Sequence, residues 1–296
     1  MADVRHRQPL RLAILDAERI LAAAGIDSAR FDAEEIAAHV VGVERMKLPL
    51  VPLVDPQVID GIGKLVHQRA KRIPLQHLLG WAPLGPITVD VGPGVFVPRP
   101  ETELLLEWGL AQLQGSARSS GKRPVVVDLC TGSAALALAM AHCRPDAVVH
   151  AVEMDRSALA WARRNADKQV AAGDTPIRLH AADVTAPGVL SELDGSVDLV
   201  LCNPPYVPMG TVVPPEVADH DPVQAVFSGG DGLDVIRHVV TLAARLLAPG
   251  GGVAIEHDDT QGESVPALLA SRRVLTDVVD HNDLAGRPRF ATARRS

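Results

Sequence analysis

The chain has 296 residues, with 29 Lys and Arg against 36 Asp and Glu, and a net charge of −7. Hydrophobic residues make up 47% and charged residues 22%, which is typical of a globular protein and excludes disordered, collagenous and low-complexity classes. The length suits one large domain or two ordinary ones. Residues 1–95 carry equal numbers of basic and acidic side chains, so the net charge belongs to the remainder. Such an acidic chain is poorly suited to binding duplex phosphate.

No run of about 18 apolar residues is present, and no apolar stretch follows the basic residues near the N-terminus. We therefore expect no membrane span, no secretory signal and a cytoplasmic location. The three cysteines, Cys130, Cys143 and Cys202, form no Cys-x-x-Cys pair. They indicate neither a disulfide framework nor a zinc site, and we expect no metal.

Residues 1–80 have the pattern of a small helical bundle. An apolar stripe at helical spacing predicts a first helix over 10–24, and Gly25 is a natural stop. A second helix is predicted from Ser28 to about Gly42, and a third over 55–72.

The pattern changes near Trp81, where the spacing of apolar residues shortens. The runs 87–91 and 95–97, separated by Gly-Pro-Gly, predict a β-hairpin. We interpret residues 81–98 as a β-hairpin linker between two domains.

Residues 99–296 alternate helical stretches with continuous apolar runs, after a helix predicted from Thr102 to about Gln114 and a polar break over 115–123. Continuous Val, Leu and Ile runs separated by helices indicate βαβ units and a parallel sheet covered on both faces. The predicted strands are 125–130, 148–153, 177–183, 197–205, 252–257, 274–281 and 289–295. The last two leave almost no room for a helix between them, so we expect the final strand to run antiparallel. The predicted fold class is α/β.

Acidic residues end three successive predicted strands: Asp128, Glu153 and Asp183. Ligands of open parallel sheets bind at these carboxyl ends. Glu153 is suited to accept both hydroxyls of a ribose, and Asp183 to accept from the exocyclic amine of adenine. Taken singly, each acid is equally compatible with an ordinary surface position, but together they favour a nucleoside pocket.

A turn of small residues follows Asp128, and its backbone can pass close to a ligand. It consists of Cys130, Thr131, Gly132, Ser133 and Ala134. A plain strand-to-helix turn would look the same. The chain has neither a Gly-x-Gly-x-x-Gly fingerprint nor a P-loop. None of the three acids is followed by the cations that a triphosphate requires, so the pattern points to a nucleoside without phosphates.

The fourth predicted strand ends in Asn203, Pro204, Pro205 and Tyr206. Because prolines have no N–H to donate, the Asn203 side-chain oxygen and the Pro204 carbonyl can accept both hydrogens of one planar amino group. Tyr206, the only tyrosine of the chain, can stack on that group. The alternative is a proline-rich turn after a buried strand. A methyl group on a sulfonium, as in S-adenosylmethionine, is an electrophile that suits a phosphate-free adenosine pocket, and its transfer depends on positioning.

These motifs resemble those of the PrmC/HemK family, the release factor glutamine methyltransferases, over nearly the whole chain. The shared segments are FDAEEIAAHVVG, PLQHLLGW, VPRPETE, DLCTGS, AVE, NPPY, GGDGLDVI and GRPRF. NPPY alone is also found in nucleic-acid amine methyltransferases, whereas VPRPETE followed by DLCTGS and NPPYVP is far more specific.

The resemblance implies a class I methyltransferase, a Rossmann-like seven-stranded sheet with the last strand antiparallel. It implies a helical substrate-recognition domain over 1–80, the linker over 81–98 and the methyltransferase domain over 99–296. It further implies transfer of a methyl group from S-adenosylmethionine to the glutamine amide nitrogen in the Gly-Gly-Gln motif of peptide chain release factors. The product of the cofactor would be S-adenosylhomocysteine.

The resemblance also implies residue roles. Asn203, the Pro204 carbonyl, Pro205 and Tyr206 would form the catalytic motif that grips the glutamine amide. Cofactor-binding residues would be Asp128, Cys130, Thr131, Gly132, Ser133, Ala134, Glu153, Asp183, Val184 and Asn203, covered by the segment with Arg99, Glu101 and Thr102.

The chain departs from the family at four of these positions. Cys130 and Ala134 stand where the family usually has Gly, so backbone torsions open only to Gly are expected to be lost. Glu153 replaces the commoner Asp, and Val184 replaces a frequent Trp.

Two other functions compete with this interpretation. A nucleic-acid exocyclic-amine methyltransferase would need a cationic channel and stacking partners, but the chain has only three Trp, one Tyr and four Phe, and its sheet-forming part is acidic. A non-catalytic cofactor-binding scaffold would follow if the altered turn no longer supported turnover. We expect a monomer that uses release factors as partners, with no nucleic acid and no membrane, and a long loop over 207–230 that frames the substrate slot.

Overall fold

The computed structural model describes residues 7–114 and 122–296, which divide into two compact units. The smaller unit contains the chain up to Trp81 together with residues 214–220, and the larger contains 82–213 and 221–296. Most of the polar break predicted over 115–123 lies outside the described residues.

The smaller unit is a helical bundle, as its apolar spacing predicts. Its helices are α1 (Leu10–Ala23), α2 (Ala29–Val41), α3 (Pro56–Ala70), α4 (Leu75–Leu79) and, from the second segment, α8 (Pro215–His220). A 3₁₀-helix covers Arg45–Leu50, and β1 (Gln8–Pro9) pairs with β2 (Leu53–Val54). Leu10, Leu21 and Ile36 are almost fully buried in its core.

A two-stranded sheet of β3 (Trp81–Leu84) and β4 (Ile87–Asp90) follows α4. The predicted pairing of 87–91 with 95–97 is therefore wrong. Gly85 adopts φ +53, a left-handed torsion that a tight two-residue turn requires, and it supplies the reversal instead. Residues 95–97 form no strand and are instead packed into the core as irregular backbone.

The larger unit contains a seven-stranded sheet with the order β10-β11-β9-β8-β5-β6-β7. The strands are β5 (Val125–Leu129), β6 (Val148–Glu153), β7 (Arg178–Ala181), β8 (Val197–Cys202), β9 (Leu247–Glu256), β10 (Leu275–Asn282) and β11 (Pro288–Arg295). β11 runs antiparallel to both of its neighbours, whereas the pairs among β5 to β9 are parallel. The predicted α/β fold with an antiparallel final strand is confirmed.

Helices cover both faces of this sheet. They are α5 (Glu103–Leu113), α6 (Ala135–Cys143), α7 (Arg156–Ala171), α10 (Asp234–Leu246) and α11 (Ser264–Ala270). The short α9 (Val223–Val226) lies in the segment that follows β8. Val126 and Leu199 belong to the core on one face, and Val127 and Val200 to the core on the other, as expected for strands buried on both sides. No helix in the described part of the chain is long and apolar enough to span a bilayer.

The strand order places β5 at a topological switch point. From β5 the chain moves to β6 and β7 on one side, and then returns to β8 and β9 on the other. The loops that leave the carboxyl ends of β5 and β8 therefore diverge, which opens a crevice between them.

The segment that follows β8 differs from the single long loop predicted over 207–230. It contains the short helices α8 and α9, and residues 214–220 belong to the helical unit. Two backbone hydrogen bonds join the beginning of this segment to its end. Val207 N–H donates to the Val226 carbonyl (3.0 Å), and Met209 N–H donates to the Gly229 carbonyl (2.8 Å).

Candidate active site

A cavity of about 360 Å³ opens at the carboxyl ends of β5, β6, β7 and β8, a volume within the range of small-molecule sites. It brings together most of the residues predicted from the sequence: Thr102, Asp128, Cys130, Thr131, Gly132, Ser133, Glu153, Asp183, Val184, Asn203 and Pro205. Among the described residues, Arg99, Glu101, Ala134, Pro204 and Tyr206 are not part of its lining.

The turn after β5 is built from left-handed backbone. Cys130 has φ +59, Gly132 φ +57 and Ala134 φ +65. The expected loss of glycine torsions at Cys130 and Ala134 is therefore wrong, because both residues adopt them. Each costs about 1–2 kcal/mol relative to an unstrained conformation. Hydrogen bonds from Thr131 N–H to the Val152 carbonyl (3.0 Å) and from Ala134 N–H to the Thr131 carbonyl (2.9 Å) hold the turn.

The buried Asp128 side chain stabilises this turn by a hydrogen bond to Thr131. Its carboxylate accepts from the Thr131 hydroxyl at 2.5 Å, and the side chain is 2% exposed. Burial raises the pKa of Asp128 to about 7, although the Thr131 hydrogen bond acts in the opposite direction. The residue therefore shapes the loop from inside the protein.

Glu153 lies at the end of β6 and faces the same turn. Its Oε2 accepts from Gly132 N–H at 2.9 Å and its Oε1 from Asp155 N–H at 2.8 Å. Burial raises its pKa. Since each carboxylate oxygen has two acceptor positions, a lone pair remains on both for a pair of hydroxyl groups.

Asp183 follows β7 by two residues, so the predicted strand ends earlier than expected, at Ala181. Its Oδ1 accepts from Thr185 N–H at 2.8 Å, and no donor within residues 7–114 or 122–296 reaches its Oδ2. Val184 is buried beside it in the cavity wall.

The lining chemistry fits a nucleoside cofactor without phosphates. Acceptors at Glu153 and Asp183 flank apolar walls that include Phe96, Val184 and Phe227. Within the described part of the chain, no Lys or Arg lines the cavity, so cations that would neutralise a phosphate chain are absent from its walls.

Asn203 and Pro204 follow the end of β8 and present two available acceptors. Asn203 Nδ2 donates to Thr102 Oγ1 at 3.0 Å. Neither Asn203 Oδ1 nor the Pro204 carbonyl receives a hydrogen bond from any residue that the structure describes. Asn203 lines the cavity, and the buried Pro204 follows it directly, so neither oxygen has its acceptor capacity taken up by the described residues.

Tyr206 is fixed at both ends. Its hydroxyl donates to Glu256 Oε1 at 3.3 Å, and its carbonyl accepts from Gln261 Nε2 at 3.0 Å. Burial and the nearby Glu256 carboxylate raise the pKa of the phenol far above its usual range, so Tyr206 stays protonated. Gly232 packs directly against its carbonyl, and a Cβ there would lie 2.1 Å from that oxygen.

Glu256 is the main residue that sequence reasoning missed. It ends β9, is 1% exposed, and its Oε2 accepts from the Thr102 hydroxyl at 2.8 Å. Burial raises its pKa to about 7, against the opposing effects of the Thr102 hydrogen bond and the Arg289 charge. The signal was present, because Glu256 closes an apolar strand in the same way as the other three acids.

The segment that carries Arg99 supports one wall of the cavity. The Arg99 guanidinium bonds Asp221 at 2.6 Å and lies 4.7 Å from the centre of the Phe96 ring, which lines the cavity. Arg99 thus acts on the site through Phe96, while Thr102 from the same segment reaches the cavity directly.

Comparison with known proteins shows the family of this chain. The family described as the PrmC N-terminal domain matches residues 13–80, and the methyltransferase small domain matches residues 101–218. A release factor glutamine methyltransferase of Mycolicibacterium smegmatis is 54% identical over 286 residues, which cover 97% of this chain and 98% of that protein. One from Mycobacterium tuberculosis H37Rv is 50% identical over 290 residues, covering 97% and 91%.

Among solved structures, the 16S rRNA N2 G1207 methyltransferase of T. thermophilus, bound to AdoMet and guanosine, has a TM-score of 0.50 at 23% identity. It covers 73% of this chain and 50% of that one, and shows a shared fold. The sheet order and the methyltransferase small domain match over residues 101–218 identify the larger unit as a class I methyltransferase domain. Because near full-length relatives share about half of its sequence, the chain belongs to the release factor glutamine methyltransferase family.

Proposed function

We propose that this protein methylates the side-chain amide nitrogen of the glutamine in the Gly-Gly-Gln motif of peptide chain release factors, with S-adenosylmethionine as methyl donor. The observation that carries the proposal is the pair of available acceptors at the end of β8, Asn203 Oδ1 and the Pro204 carbonyl. They stand beside a cavity whose polar groups suit a phosphate-free nucleoside.

The cofactor would be held by residues from three strand ends. Glu153 would accept from the ribose hydroxyls, and Asp183 Oδ2 from the adenine amine, with Val184 against the base. The turn from Cys130 to Ser133 would run along the methionine part, because its small side chains let the backbone come close to a ligand. S-adenosylmethionine supplies the electrophilic methyl group when bound.

The chain's own contribution to catalysis is to bind and orient the amide. A carboxamide nitrogen is a poor nucleophile because its lone pair is delocalised onto the carbonyl. Two acceptors on its hydrogens favour the form with more charge on nitrogen and stabilise the positive charge that develops during attack. They also fix the plane of the group, so that its face is turned toward the electrophile. The Tyr206 ring, anchored at its hydroxyl and its carbonyl, would pack on this plane.

The substrate in this proposal is a protein. We infer that the enzyme is a monomer and that it acts in the cytoplasm. The glycines of a Gly-Gly-Gln tip have no side chains, so this tip can enter a narrow slot. Among residues 7–114 and 122–296, no Lys or Arg lines the cavity to meet a nucleic-acid backbone, which favours a protein substrate over a flipped base.

Transfer of a labelled methyl group from S-adenosylmethionine to three separate acceptors tests the proposal. We expect label in a purified bacterial release factor, and none in duplex DNA or ribosomal RNA. A release factor whose motif glutamine is replaced by alanine is the control and should stay unlabelled. Label in either nucleic acid, with none in the release factor, would overturn the proposal in favour of an exocyclic-amine methyltransferase.

A further inference from the structure

Behind the NPPY motif, buried side chains form a chain of hydrogen bonds that ends on Glu256. Asn203 Nδ2 donates to Thr102 Oγ1 at 3.0 Å, and the Thr102 hydroxyl donates to Glu256 Oε2 at 2.8 Å. The other oxygen of Glu256 accepts from the Tyr206 hydroxyl at 3.3 Å. Thr102 is 5% exposed and Glu256 1%, so solvent has little access to compete for these bonds.

The direction of these bonds follows from the chemistry of the carboxylate. An ionised carboxylate accepts hydrogen bonds and cannot donate, so Glu256 must take the hydroxyl hydrogen of Thr102. The Thr102 oxygen then has only lone pairs to offer Asn203. Of the two ends of the Asn203 carboxamide, only Nδ2 can donate to those lone pairs.

The orientation of Asn203 decides what the substrate meets. The carboxamide has two nearly isosteric orientations, related by a flip that exchanges oxygen and nitrogen. With Nδ2 on Thr102, Oδ1 is available to accept from an incoming amide. In the flipped orientation Nδ2 would face the hydrogens of that amide, and a donor would oppose a donor.

We propose that Glu256, acting through Thr102, is a positioning residue that fixes the Asn203 carboxamide with its oxygen available to the substrate. The inference rests on the proposed function, because it assigns a role within the same reaction. Arg289 and Glu101 also act on Glu256: the charge of Arg289 favours the ionised acceptor form, and that of Glu101 opposes it. Tyr206 adds a second donor on the other carboxylate oxygen.

A matched pair of substitutions at Thr102 tests the inference. Thr102→Val keeps the shape of the side chain but removes the hydroxyl, whereas Thr102→Ser keeps the hydroxyl and removes a methyl group. We expect Thr102→Val to lower kcat for release factor methylation by about 10- to 100-fold, the size of effect seen when groups that orient metal ligands are removed. Thr102→Ser should restore most of the turnover.

Glu256→Gln is the second test, and it serves alone if Thr102→Val does not fold. A glutamine side chain can donate as well as accept, so both directions of the hydrogen-bond chain become populated. We expect kcat to fall less than in Thr102→Val, with little change in KM for the release factor.

Wild-type turnover in Thr102→Val, or an equal loss in Thr102→Val and Thr102→Ser, would overturn the inference, and so would an unchanged kcat in Glu256→Gln. These outcomes are distinguishable from failure of the proposed function. In that case the wild-type protein itself would transfer no methyl group to the release factor.

Discussion

At the scale of single residues, the proposed reaction depends most on the Asn203 side chain. Asn203→Ala removes the oxygen that accepts from the substrate amide while leaving the turn after β5 and Glu153 in place. Loss of one preorganised partner at a reacting group typically costs about 10²–10³ in rate. We therefore expect kcat to fall by that order, as measured by methyl transfer to a release factor.

Cofactor binding supplies the control for this substitution. Isothermal titration with S-adenosylmethionine should give an affinity close to that of the wild type, because the ribose and adenine partners are unchanged. Full turnover in Asn203→Ala would show that the amide is held by other groups.

The protonation of Glu256 should make turnover depend on pH. Burial raises its pKa to about 7, and only the ionised form is restricted to accepting from Thr102. As the pH falls through about 7, Glu256 gains a proton and can donate, so the oriented fraction of Asn203 decreases. We expect kcat to rise with pH across this range in the wild type, and the step to be absent in Glu256→Gln.

The comparison of the two pH profiles also separates Glu256 from Asp128, whose pKa is raised to about 7 as well by burial. If the acidic limb of the profile persists unchanged in Glu256→Gln, the titrating group is not Glu256. That result would assign the limb to another group such as Asp128.

Residues at strand ends could be predicted from the sequence, whereas residues that act across long sequence separations could not. Asp128, Glu153 and Asn203 each close an apolar run, and the fold brings those ends together. Asn165 illustrates the opposite case. It lies within α7, is 1% exposed, and its Nδ2 donates to the Ser133 and Asp90 carbonyls at 3.0 Å. No local pattern marks such a residue, because its partners lie far from it in the chain.

At the scale of elements, the segment GGDGLDVI holds the NPPY motif in place through close backbone contact. Gly232 has φ +76, and a Cβ there would lie 2.1 Å from the Tyr206 carbonyl oxygen and 2.7 Å from Gln261 Nε2. Gly232→Ala therefore meets both a strained torsion and fixed backbone, and the clash must displace Tyr206. We expect a loss of stability of about 2 kcal/mol or more, together with a large loss of turnover.

Gly230→Ala is the matched control, two residues away. A Cβ at Gly230 meets nothing within 4 Å, and its φ lies outside the left-handed region. Urea unfolding should show a change within about 0.5 kcal/mol, with turnover retained. Equal effects of the two substitutions would contradict a specific contact between Gly232 and Tyr206.

The strands of the large sheet were predictable because buried strands have continuous apolar runs. All seven predicted strands are present, and their ends lie within a few residues of the predicted ones. The hairpin was not predictable from glycine and proline content alone. Gly-Pro-Gly at 92–94 has the composition of a turn, yet the reversal occurs at Gly85-Pro86. Gly92 is needed instead for packing, since a Cβ there would lie 2.8 Å from the Trp161 ring.

At the scale of the whole molecule, the segment that follows the active-site motif contributes a carboxylate to the helical unit. Glu216 of α8 accepts from Arg69 at 2.9 Å and from Arg72 at 2.7 Å, and Arg69 also bonds the buried Asp32 at 2.7 Å. Burial of Glu216 disfavours its charge, but its backbone hydrogen bond and the two arginines outweigh that effect and lower its pKa.

Removal of this carboxylate should destabilise the helical unit. Glu216→Ala leaves the buried Arg69 guanidinium with an incomplete set of acceptors, and breaking a largely buried pair costs about 3 kcal/mol. Asp219→Ala removes one negative charge from the exposed side of the same helix and should change stability by less than about 0.5 kcal/mol. Urea unfolding of the two variants measures the difference, and equal stabilities would contradict a role for the ion pairs.

The division into a helical part and a sheet-forming part followed from the change in periodicity near Trp81. The membership of residues 214–220 in the helical unit could not be predicted. The segment is separated from α3 by more than 140 residues, and the carboxylate of Glu216 gives no local sign of its distant partners.

Methyl transfer to the release factor is tested by mass spectrometry of the factor after incubation with this protein and S-adenosylmethionine. We expect a gain of one methyl group, which fragmentation assigns to the amide nitrogen of the glutamine in Gly-Gly-Gln, and no gain with Asn203→Ala. A methyl group on any other residue, or an unmodified glutamine despite bound cofactor, would contradict it.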